Sequence, residues 1–392
     1  MKMAKITSWG FTRLRGKVKD AEFRERKNKV IELSKKRVPS NPRTDAQKTI
    51  RSAYGKCVEK WNKLSYDEKL SWRAIGNSLK MSGYNAYMRQ CISEALGWTG
   101  YEITIDNTGN ANTLTEFQVL LNVSGDATFF EDCENNQVYL EFYDEDQTTL
   151  LKHWVQEWDT TNHNARIWIK VPSIPGSATK KIYLKINKGR TEDLSNGEDT
   201  FMLFDDFEDG VIDTDKWNVK DSANTVEENG YLRLGGGGPI PAVQSQDTFS
   251  DYILEGKVRM GDTTEFDEWF IWIAYKDDDN YYVHRHVPGH PTSSQRHNLA
   301  KRVGGSYTTL NYVNYTTADT EWHRFKAIVA DSGLKKIDFE DLPDLEADDT
   351  SLTSPFSIEL GGTTNSGHYA YYDIVFIRKY ASPEPSVSYT KM

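Results

Sequence analysis

The sequence predicts a multidomain, mainly β protein, with a small basic three-helix domain over residues 1–96 and two antiparallel β-sandwiches over 97–200 and 201–392. The helical domain is predicted from apolar residues at helical spacing after residue 44. The sandwiches are predicted from short alternating strands between turns after residue 97. Charge divides the chain at the same point. Residues 1–96 carry 23 Lys+Arg and 9 Asp+Glu, whereas the remainder carries 25 and 49. The net charge of −10 therefore conceals two opposite surfaces, which predicts attachment at one end and display at the other.

The sequence contains no apolar run of the ~18–20 residues that a bilayer requires. The start, Met1 to Lys5, is not followed by an apolar segment, so no signal peptide is predicted. A displayed β body without an export signal is explained by assembly in a host cytoplasm and release within a virus particle. We therefore expect a virion-surface location and an extracellular role.

The cysteines are Cys57, Cys91 and Cys133. Their odd number and wide spacing predict neither a disulfide framework nor a cysteine metal site. Cys57 and Cys91 fall on apolar faces of predicted helices, so we expect them to be buried as small hydrophobic side chains.

Two capping boxes begin helices in the basic domain, at Thr44-x-x-Gln47 and Ser65-x-x-Glu68. Apolar residues at helical spacing follow each box, and a third helix is predicted after Ser82-Gly83. Residues 30–33 are predicted to form a strand edge or an arm, and the rest of 8–40 is basic and irregular. The expected core is aromatic, with Trp61 and Trp72 across a tight turn.

Residues 61–69, with Trp72 and residues 84–87, resemble the second half of an HMG box, a DNA-bending domain. Residues 41–47 read Asn-Pro-Arg-Thr-Asp-Ala-Gln. Together with the later Trp, Leu-Ser and Gly-Tyr-Asn positions, they resemble a set of small proteins of tailed viruses over about residues 9–92. The viral resemblance is the closer one.

The basic charge of residues 1–96 has three interpretations: docking on an acidic protein lattice, binding of nucleic-acid phosphates, or a solvated face. Docking is favoured because the sequence offers no clear apolar wedge of the kind that bends DNA. The candidate anchoring residues lie in the irregular first part of the domain: Arg13, Arg15, Lys17, Arg24, Arg26, Lys35, Lys36 and Arg37.

The middle module shows short strands at residues 101–105, 117–123, 138–143, 150–158, 165–171 and 181–186, at the intervals of a β-sandwich. The module resembles a domain of unknown function in its opening Gly97-Trp98 and in the segments 138–144, 154–158, 167–172 and 182–189. That domain is common in archaeal and bacterial surface proteins. His153, Trp154 and Trp158 fit either a ligand site or, as we favour, core packing.

The C-terminal module opens with an acidic segment at 204–210, then Trp217 and a strand near 231–234, with later strands at 252–258, 270–275, 281–287, 322–329 and 371–377. This order resembles the concanavalin A-like lectin/glucanase family. The resemblance implies a jelly roll that carries glycan sites on the concave face of one sheet.

Glucanases of that family carry a Glu-x-Asp-x-(x)-Glu motif, which places two carboxylates on one strand face. Glu265 and Asp267 match its first two positions, but Trp269 and Phe270 occupy both places for the final Glu. These two residues are weak catalytic candidates, and the sequence predicts a protein that is not an enzyme.

Glycan binding requires flat aromatic rings and a few polar groups. Tyr282, His284 and His286 alternate onto one strand face, and Trp272 lies on the preceding strand. These four residues are the predicted glycan contacts. The His-x-His pair also fits zinc, although no carboxylate stands at convincing spacing.

The lectin/glucanase resemblance further implies a structural calcium ion between the acidic opening and the last strand. Asp206, Glu208 and Asp373 occupy the matching positions, and carboxylate oxygens suit this hard cation.

The sequence thus predicts a virion structural protein, such as a capsid decoration, fibre or tail-associated protein. We expect the basic domain to bind a major capsid or other virion protein, in several copies or as a homo-oligomer, while the sandwiches bind host glycans. Multiple copies would raise the avidity of weak sugar contacts. The alternatives are a polysaccharide-degrading glycoside hydrolase and a DNA-binding architectural protein.

Overall fold

A computed structural model describes residues 5–6, 16–18, 21–25, 31–35, 45–78, 80–95, 98–237, 240–263, 268–287, 297–315 and 318–392. The chain divides into two compact units, Met1–Leu96 and Gly97–Met392. Within these ranges, no helix is both long and apolar enough to cross a membrane. The described residues contain five α-helices against many antiparallel strands, so the protein is mainly β, as the sequence predicts.

The first unit contains the three predicted helices: α1 (Asp45–Lys63), α2 (Tyr66–Ser78) and α3 (Gly83–Ala95). The second capping box is confirmed, because Ser65 N donates to Glu68 Oε2 at 2.7 Å and Glu68 N donates to Ser65 Oγ at 3.3 Å. Thr44 of the first box lies outside the described residues.

The segment before these helices contains more strand than expected. β1 (Lys5–Ile6), β2 (Gly16–Val18), β3 (Ala21–Glu25) and β4 (Ile31–Lys35) form an antiparallel sheet in the order β1-β4-β3-β2. Only the strand near residues 30–33 is predicted, because charged residues interrupt the alternation that identifies strands.

Cys57 and Cys91 form a disulfide bond between α1 and α3, with their Cα atoms 5.7 Å apart. The prediction of two separate buried thiols is therefore wrong, although both residues are buried. Helical spacing places each cysteine on an apolar face, but only the packing of α1 against α3 brings the two faces together. Cys133 remains free and buried in the second unit.

The second unit begins with a sandwich of two sheets, ordered β26-β5-β10-β7 and β6-β9-β8. Its elements are β5 (Trp98–Asp106), β6 (Leu114–Val123), α4 (Ala127–Asp132), β7 (Leu140–Tyr143), β8 (Lys152–Asp159), β9 (Asn164–Ile174), β10 (Thr179–Asn187) and α5 (Gly197–Thr200), with β26 (Ser386–Lys391) from the chain end. Alternate residues of both sheets fill its core, which includes Ile103, Phe142 and Ile169.

The last strand returns to this first sandwich. β26 pairs with β5 in antiparallel register, with Val387 opposite Ile105 and Tyr389 opposite Ile103. The sequence-based division into 97–200 and 201–392 does not anticipate this exchange. The segment that follows the jelly roll in sequence thus supplies one strand of the first sandwich. The chain therefore leaves the first sandwich, forms the jelly roll and returns to the first sandwich.

The jelly roll consists of two larger sheets around one core. The eight-stranded sheet runs β13-β14-β25-β16-β21-β22-β23, with β11 added beside β25, and the seven-stranded sheet runs β12-β15-β24-β17-β18-β19-β20. Their bounds are β11 (Leu203–Asp205), β12 (Trp217–Val219), β13 (Thr225–Glu228), β14 (Tyr231–Gly235), β15 (Ala242–Ser245), β16 (Tyr252–Met260), β17 (Trp269–Asp277), β18 (Asn280–His286), β19 (His297–Val303), β20 (Ser306–Val313), β21 (His323–Val329), β22 (Leu334–Phe339), β23 (Leu345–Asp348), β24 (Ser357–Gly362) and β25 (Tyr369–Lys379).

The two sandwiches meet in an aromatic contact. Trp154 and Trp168 of the first sandwich pack against Phe376 of β25, with ring centroids 5.6 and 5.8 Å away. Arg378, almost fully buried, lies 4.9 Å from the Trp168 ring and is paired with Glu255 at 2.6 Å and with Glu384. Trp154 therefore packs within the molecule, and so does Trp158, whose ring lies 4.5 Å from that of Phe130, in agreement with the interpretation favoured above.

Candidate functional site

The seven-stranded sheet has one face toward the jelly-roll core and one face away from it. Tyr282, His284 and His286 all lie on the core face, with at most 1% of each side chain exposed. Their assignment as glycan contacts is therefore corrected. Strand alternation correctly places the three on a common face, but it does not state which face is turned inward.

His284, His286 and His297 form a buried histidine cluster in this core. His297 Nε2 donates to Pro343 O at 2.8 Å, so the lone pair of its Nδ1 can accept from His286 Nδ1 at 2.9 Å, and His284 Nε2 lies 3.3 Å from the same Nδ1. Burial lowers the pKa of all three, that of His297 to about 4. In the described ranges no three His, Cys, Asp or Glu residues are placed to hold a metal ion, so the zinc alternative finds no support.

The opposite face of the same sheet carries a cluster of aromatic rings, which we call the outer platform: Phe270, Trp272, Tyr281 and Tyr307. Phe270 stacks on Trp272 with centroids 5.3 Å apart, and Tyr281 meets Trp272 edge-on at 6.2 Å. Trp272, the one predicted glycan residue on this face, is 6% exposed, whereas Tyr307 is 52% exposed. The accessible ring surface therefore belongs mainly to Phe270, Tyr281 and Tyr307.

Small side chains at the centre of the sheet allow these rings to lie over it. Val283 and Ala300 are cross-strand neighbours on the outer face and are buried. Tyr307, opposite Arg302, reaches along β19 to donate its hydroxyl to Asn298 Oδ1 at 3.3 Å. Because Ala300 lies between Arg302 and Asn298, the Tyr307 side chain must lean across it.

Polar groups border the outer platform on two sides. Arg285 Nη2 donates to Glu268 Oε2 at 2.8 Å, and its guanidinium lies 5.4 Å from the Phe270 ring. On the other side, Lys220 Nζ lies 2.6 Å from Glu359 Oε2. Burial raises the pKa of Glu359 to about 7, against the opposing effect of Lys220.

Neighbouring groups hold Lys220 in place. Lys220 donates to the Tyr275 hydroxyl at 2.9 Å, which in turn donates to Asp278 Oδ1 at 2.6 Å. The arrangement therefore combines ring surfaces with fixed donors and acceptors, which is the composition of a sugar-binding surface.

Other predicted site residues are not gathered at this face. Glu265 and Asp267 lie outside the described residues. Asp206 and Glu208 are exposed, and Asp373 accepts a hydrogen bond from Lys257 Nζ at 2.5 Å. No carboxylate trio within the described ranges is arranged for a metal, and the calcium site expected from the resemblance stays a prediction. The buried acid of the opening segment is instead Asp205, which accepts from Trp217 Nε1 at 2.7 Å.

The candidate anchoring residues are only partly described. Lys17, Arg24 and Lys35 lie in β2, β3 and β4, whereas Arg13, Arg15, Arg26, Lys36 and Arg37 lie outside the described residues. In the sheet register, Lys17 is opposite Glu22 and Arg24 is opposite Glu32. Two of these cations therefore have an acidic residue as their cross-strand neighbour.

Sequence reasoning missed most of the outer platform and its border. Tyr281, Val283 and Arg285 form the second alternating set of β18, and this is the set that faces outward. The histidines of the other set are polar, and that set is therefore predicted to face outward. The next strand could have distinguished the two faces, because Leu299, a core residue, is the register partner of His284.

A family model described as "Domain of unknown function (DUF2341)" matches residues 136–220. No curated protein matches the chain. Among solved structures, the chain is similar to an endo-acting O-glycanase expressed by members of the human gut microbiota, at 15% identity and a TM-score of 0.38, covering 46% of this chain and 100% of that one. It is also similar to a β-glucanase of Bacillus licheniformis, at 12% identity and a TM-score of 0.35, covering 46% of this chain and 98% of that one. A third similar structure is the carbohydrate binding module CBM66 of Bacillus subtilis, at 15% identity and a TM-score of 0.32, covering 46% of this chain and 97% of that one.

Proposed function

We propose that this protein is a virion structural protein, such as a capsid decoration, fibre or tail-associated component, that binds host glycans. The observation that carries the glycan role is the outer platform, a set of aromatic rings on the face of a sheet that is turned away from the core. Such rings stack on the CH faces of sugars, while Arg285 and Glu268 at the border supply hydrogen-bonding groups for hydroxyls.

Truncating an accessible ring should remove binding without unfolding the jelly roll. We expect Tyr307→Ala to weaken glycan binding roughly tenfold, the effect of losing about 1.4 kcal/mol of stacking energy. The measurement is a glycan array followed by titration calorimetry on the best ligand, using the full chain. Tyr66→Ala is the matched control, because Tyr66 is 70% exposed but belongs to the helical unit. Equal affinity of both variants would remove the outer platform from the proposal.

The hydrolase alternative is favoured by one observation, the raised pKa of Glu359 beside Trp272, since a carboxylic acid protonated near neutrality can act as a general acid. Glycosidases require a second carboxylate. The acidic residues described around the platform are Glu359, Asp278 and Glu268. Lys220 pairs with the first two and Arg285 with the third. We therefore propose binding without turnover. Release of reducing ends from a bound glycan, lost in Glu359→Gln, would establish the hydrolase instead.

The proposed anchor is the first unit, in which basic residues exceed acidic ones by 23 to 9. Its helices also expose apolar pairs one turn apart, Ile50 with Tyr54 on α1 and Tyr66 with Leu70 on α2. Exposed apolar side chains flanked by cations are suited to contact with an acidic protein surface.

Neutralising cations of the anchor should release the protein from particles. We expect the triple variant Lys17→Gln, Arg24→Gln and Lys35→Gln to lower incorporation into purified particles several-fold, as seen by electron microscopy and quantitative blotting. The control neutralises three partly exposed lysines of the first sandwich, Lys152, Lys181 and Lys188. Equal loss in both variants would refute the anchor, and salt-dependent DNA retention lost only in the first would favour the architectural alternative.

A further inference from the structure

Within the described part of the second unit, the first sandwich covers one end of the outer face of the eight-stranded sheet. Along β16 and β25, Glu255, Phe376 and Arg378 lie against the first sandwich. Lys257 and Asp373 follow as an ion pair on the same face. Beyond that pair the face carries what we call the arginine–aromatic patch: Tyr231, Arg233, Arg259, Trp322, Tyr369 and Tyr371, all partly exposed.

Sheet register arranges these side chains as alternating cations and rings. Arg259 of β16 is opposite Tyr371 of β25, and Tyr371 is opposite Arg233 of β14. The Arg233 guanidinium lies 4.5 Å from the Tyr369 ring. Tyr231 and Trp322 extend the patch, with centroids 5.1 Å apart.

Arg259 is at the centre of the patch and is held by rings on several sides. Its guanidinium carbon lies 4.3 Å from the Tyr371 ring, 5.0 Å from Trp322 and 5.9 Å from Tyr231. These contacts are cation–π interactions, which immobilise the planar group and leave its edges available for hydrogen bonds.

Those edges have almost no protein partner. Arg259 Nη1 donates to Met260 O at the long distance of 3.4 Å, and no carboxylate within the described part of the chain forms an ion pair with it. Its neighbours differ: Arg233 is paired with Glu228 at 2.5 Å, and Lys257 with Asp373 at 2.5 Å. Arg259 is therefore held in place by rings and, among the described residues, is a cation without a carboxylate partner.

Fold stability does not explain this composition. The outer face of a sandwich is normally polar. Four partly exposed rings on this face leave apolar surface in contact with water, where it does not contribute to the stability of the core. The patch contains no aliphatic side chain, whereas protein interfaces usually combine aromatic and aliphatic anchors around a dry centre. Rings beside a guanidinium fork instead match a sugar ring that bears an acidic group.

We propose that the arginine–aromatic patch binds an anionic polysaccharide, with a carboxylate or sulfate group on Arg259 and the adjoining sugar faces on Trp322 and Tyr371. This site lies on the other sheet from the outer platform and does not depend on the function proposed above. Residues 97–392 carry 25 basic and 49 acidic residues, so most of this unit repels a polyanion, and the proposed binding depends on the local charge of Arg259.

The test uses the full chain and two matched pairs of probes: dextran sulfate against unsulfated dextran, and polygalacturonate against its methyl ester. We expect one or both charged members to bind, which distinguishes sulfate from carboxylate as the anion, and the neutral members to bind at least about tenfold more weakly. Arg259→Gln should lower the affinity for the charged probe roughly tenfold, and Arg259→Lys, which keeps the charge but loses the fork, several-fold.

Arg324→Gln is the control, since Arg324 lies on the same face of the same sheet and has its own acidic neighbour, Glu340, at 3.8 Å. Trp322→Ala supplies a second variant of the patch, and the unfolding temperature of each variant checks its fold. Equal losses for Arg259→Gln and Arg324→Gln would mean that only net charge matters and would overturn the proposal. So would failure of every charged probe to bind, or concentration-dependent self-association abolished by Arg259→Gln, which would show a protein interface.

Discussion

A chain that ends at Pro385 is expected to lose the stability of its first sandwich while keeping a folded jelly roll. The deletion removes β26, which covers the edge of β5 and packs Val387 and Tyr389 against the core. It also removes the hydrogen bond from the Tyr389 hydroxyl to Asp126 Oδ2 at 2.9 Å. We expect a loss of about 3–5 kcal/mol in the free energy of unfolding of that sandwich, from lost burial and lost strand pairing.

Hydrogen exchange of the β5 amides and thermal unfolding measure this effect. The exposed face of β26 provides the control, because Ser388→Ala removes no core contact and should leave both readouts unchanged. Adding a peptide of residues 384–392 to the truncated chain should restore protection of β5. Unaltered exchange after truncation would show that β26 contributes little to the sandwich, and exposure of the β5 edge should also increase aggregation.

The buried histidine cluster should make the jelly roll sensitive to mild acid. In the folded protein the pKa values of His284, His286 and His297 lie below the ordinary 6.5. The unfolded chain therefore binds more protons than the folded one as pH falls below 6.5. The free energy of unfolding is then fully present above pH 6.5 and falls toward pH 4.5, by up to about 1.4 kcal/mol per pH unit for each histidine.

Other groups change the total slope but not this contribution. His153, whose pKa burial lowers to about 4, adds to the loss in the first sandwich. Glu227 and Glu359, whose pKa values burial raises to about 7, act in the opposite direction because the folded state holds their protons more tightly. Within the jelly roll, the three histidines less the two glutamates leave a net uptake of about one proton on unfolding, or roughly 1.4 kcal/mol per pH unit.

Urea unfolding between pH 7.5 and 4.5 measures the slope. His284→Leu should reduce it by about 1.4 kcal/mol per pH unit, because one proton no longer binds on unfolding. The matched control is His163→Gln, since His163 is partly exposed. A slope that stays the same in His284→Leu would mean that His284 is protonated in the folded state, contrary to its burial.

The predicted glycan residues show how much of the candidate site the sequence can predict. The alternation of β18 correctly groups Tyr282, His284 and His286, and the strand is where it is predicted. The choice of face depends on which side meets the eight-stranded sheet, and residues such as Phe339 of β22 make that contact from a distant part of the chain. Ring centroids such as the 5.3 Å between Phe270 and Trp272 likewise depend on side-chain packing across the sheet.

The sequence by itself determined the classes of structure and their order: three helices from periodicity and capping, and strands from alternation between turns. These signals are local, since each depends on residues within a few positions of one another. Tertiary structure alone decided that Cys57 bonds to Cys91, that β26 completes the first sandwich, and that Arg259 lies among rings from three other strands or loops. Each of these contacts joins surfaces that lie far apart along the chain. Burial of apolar area across the whole fold determines which surfaces meet.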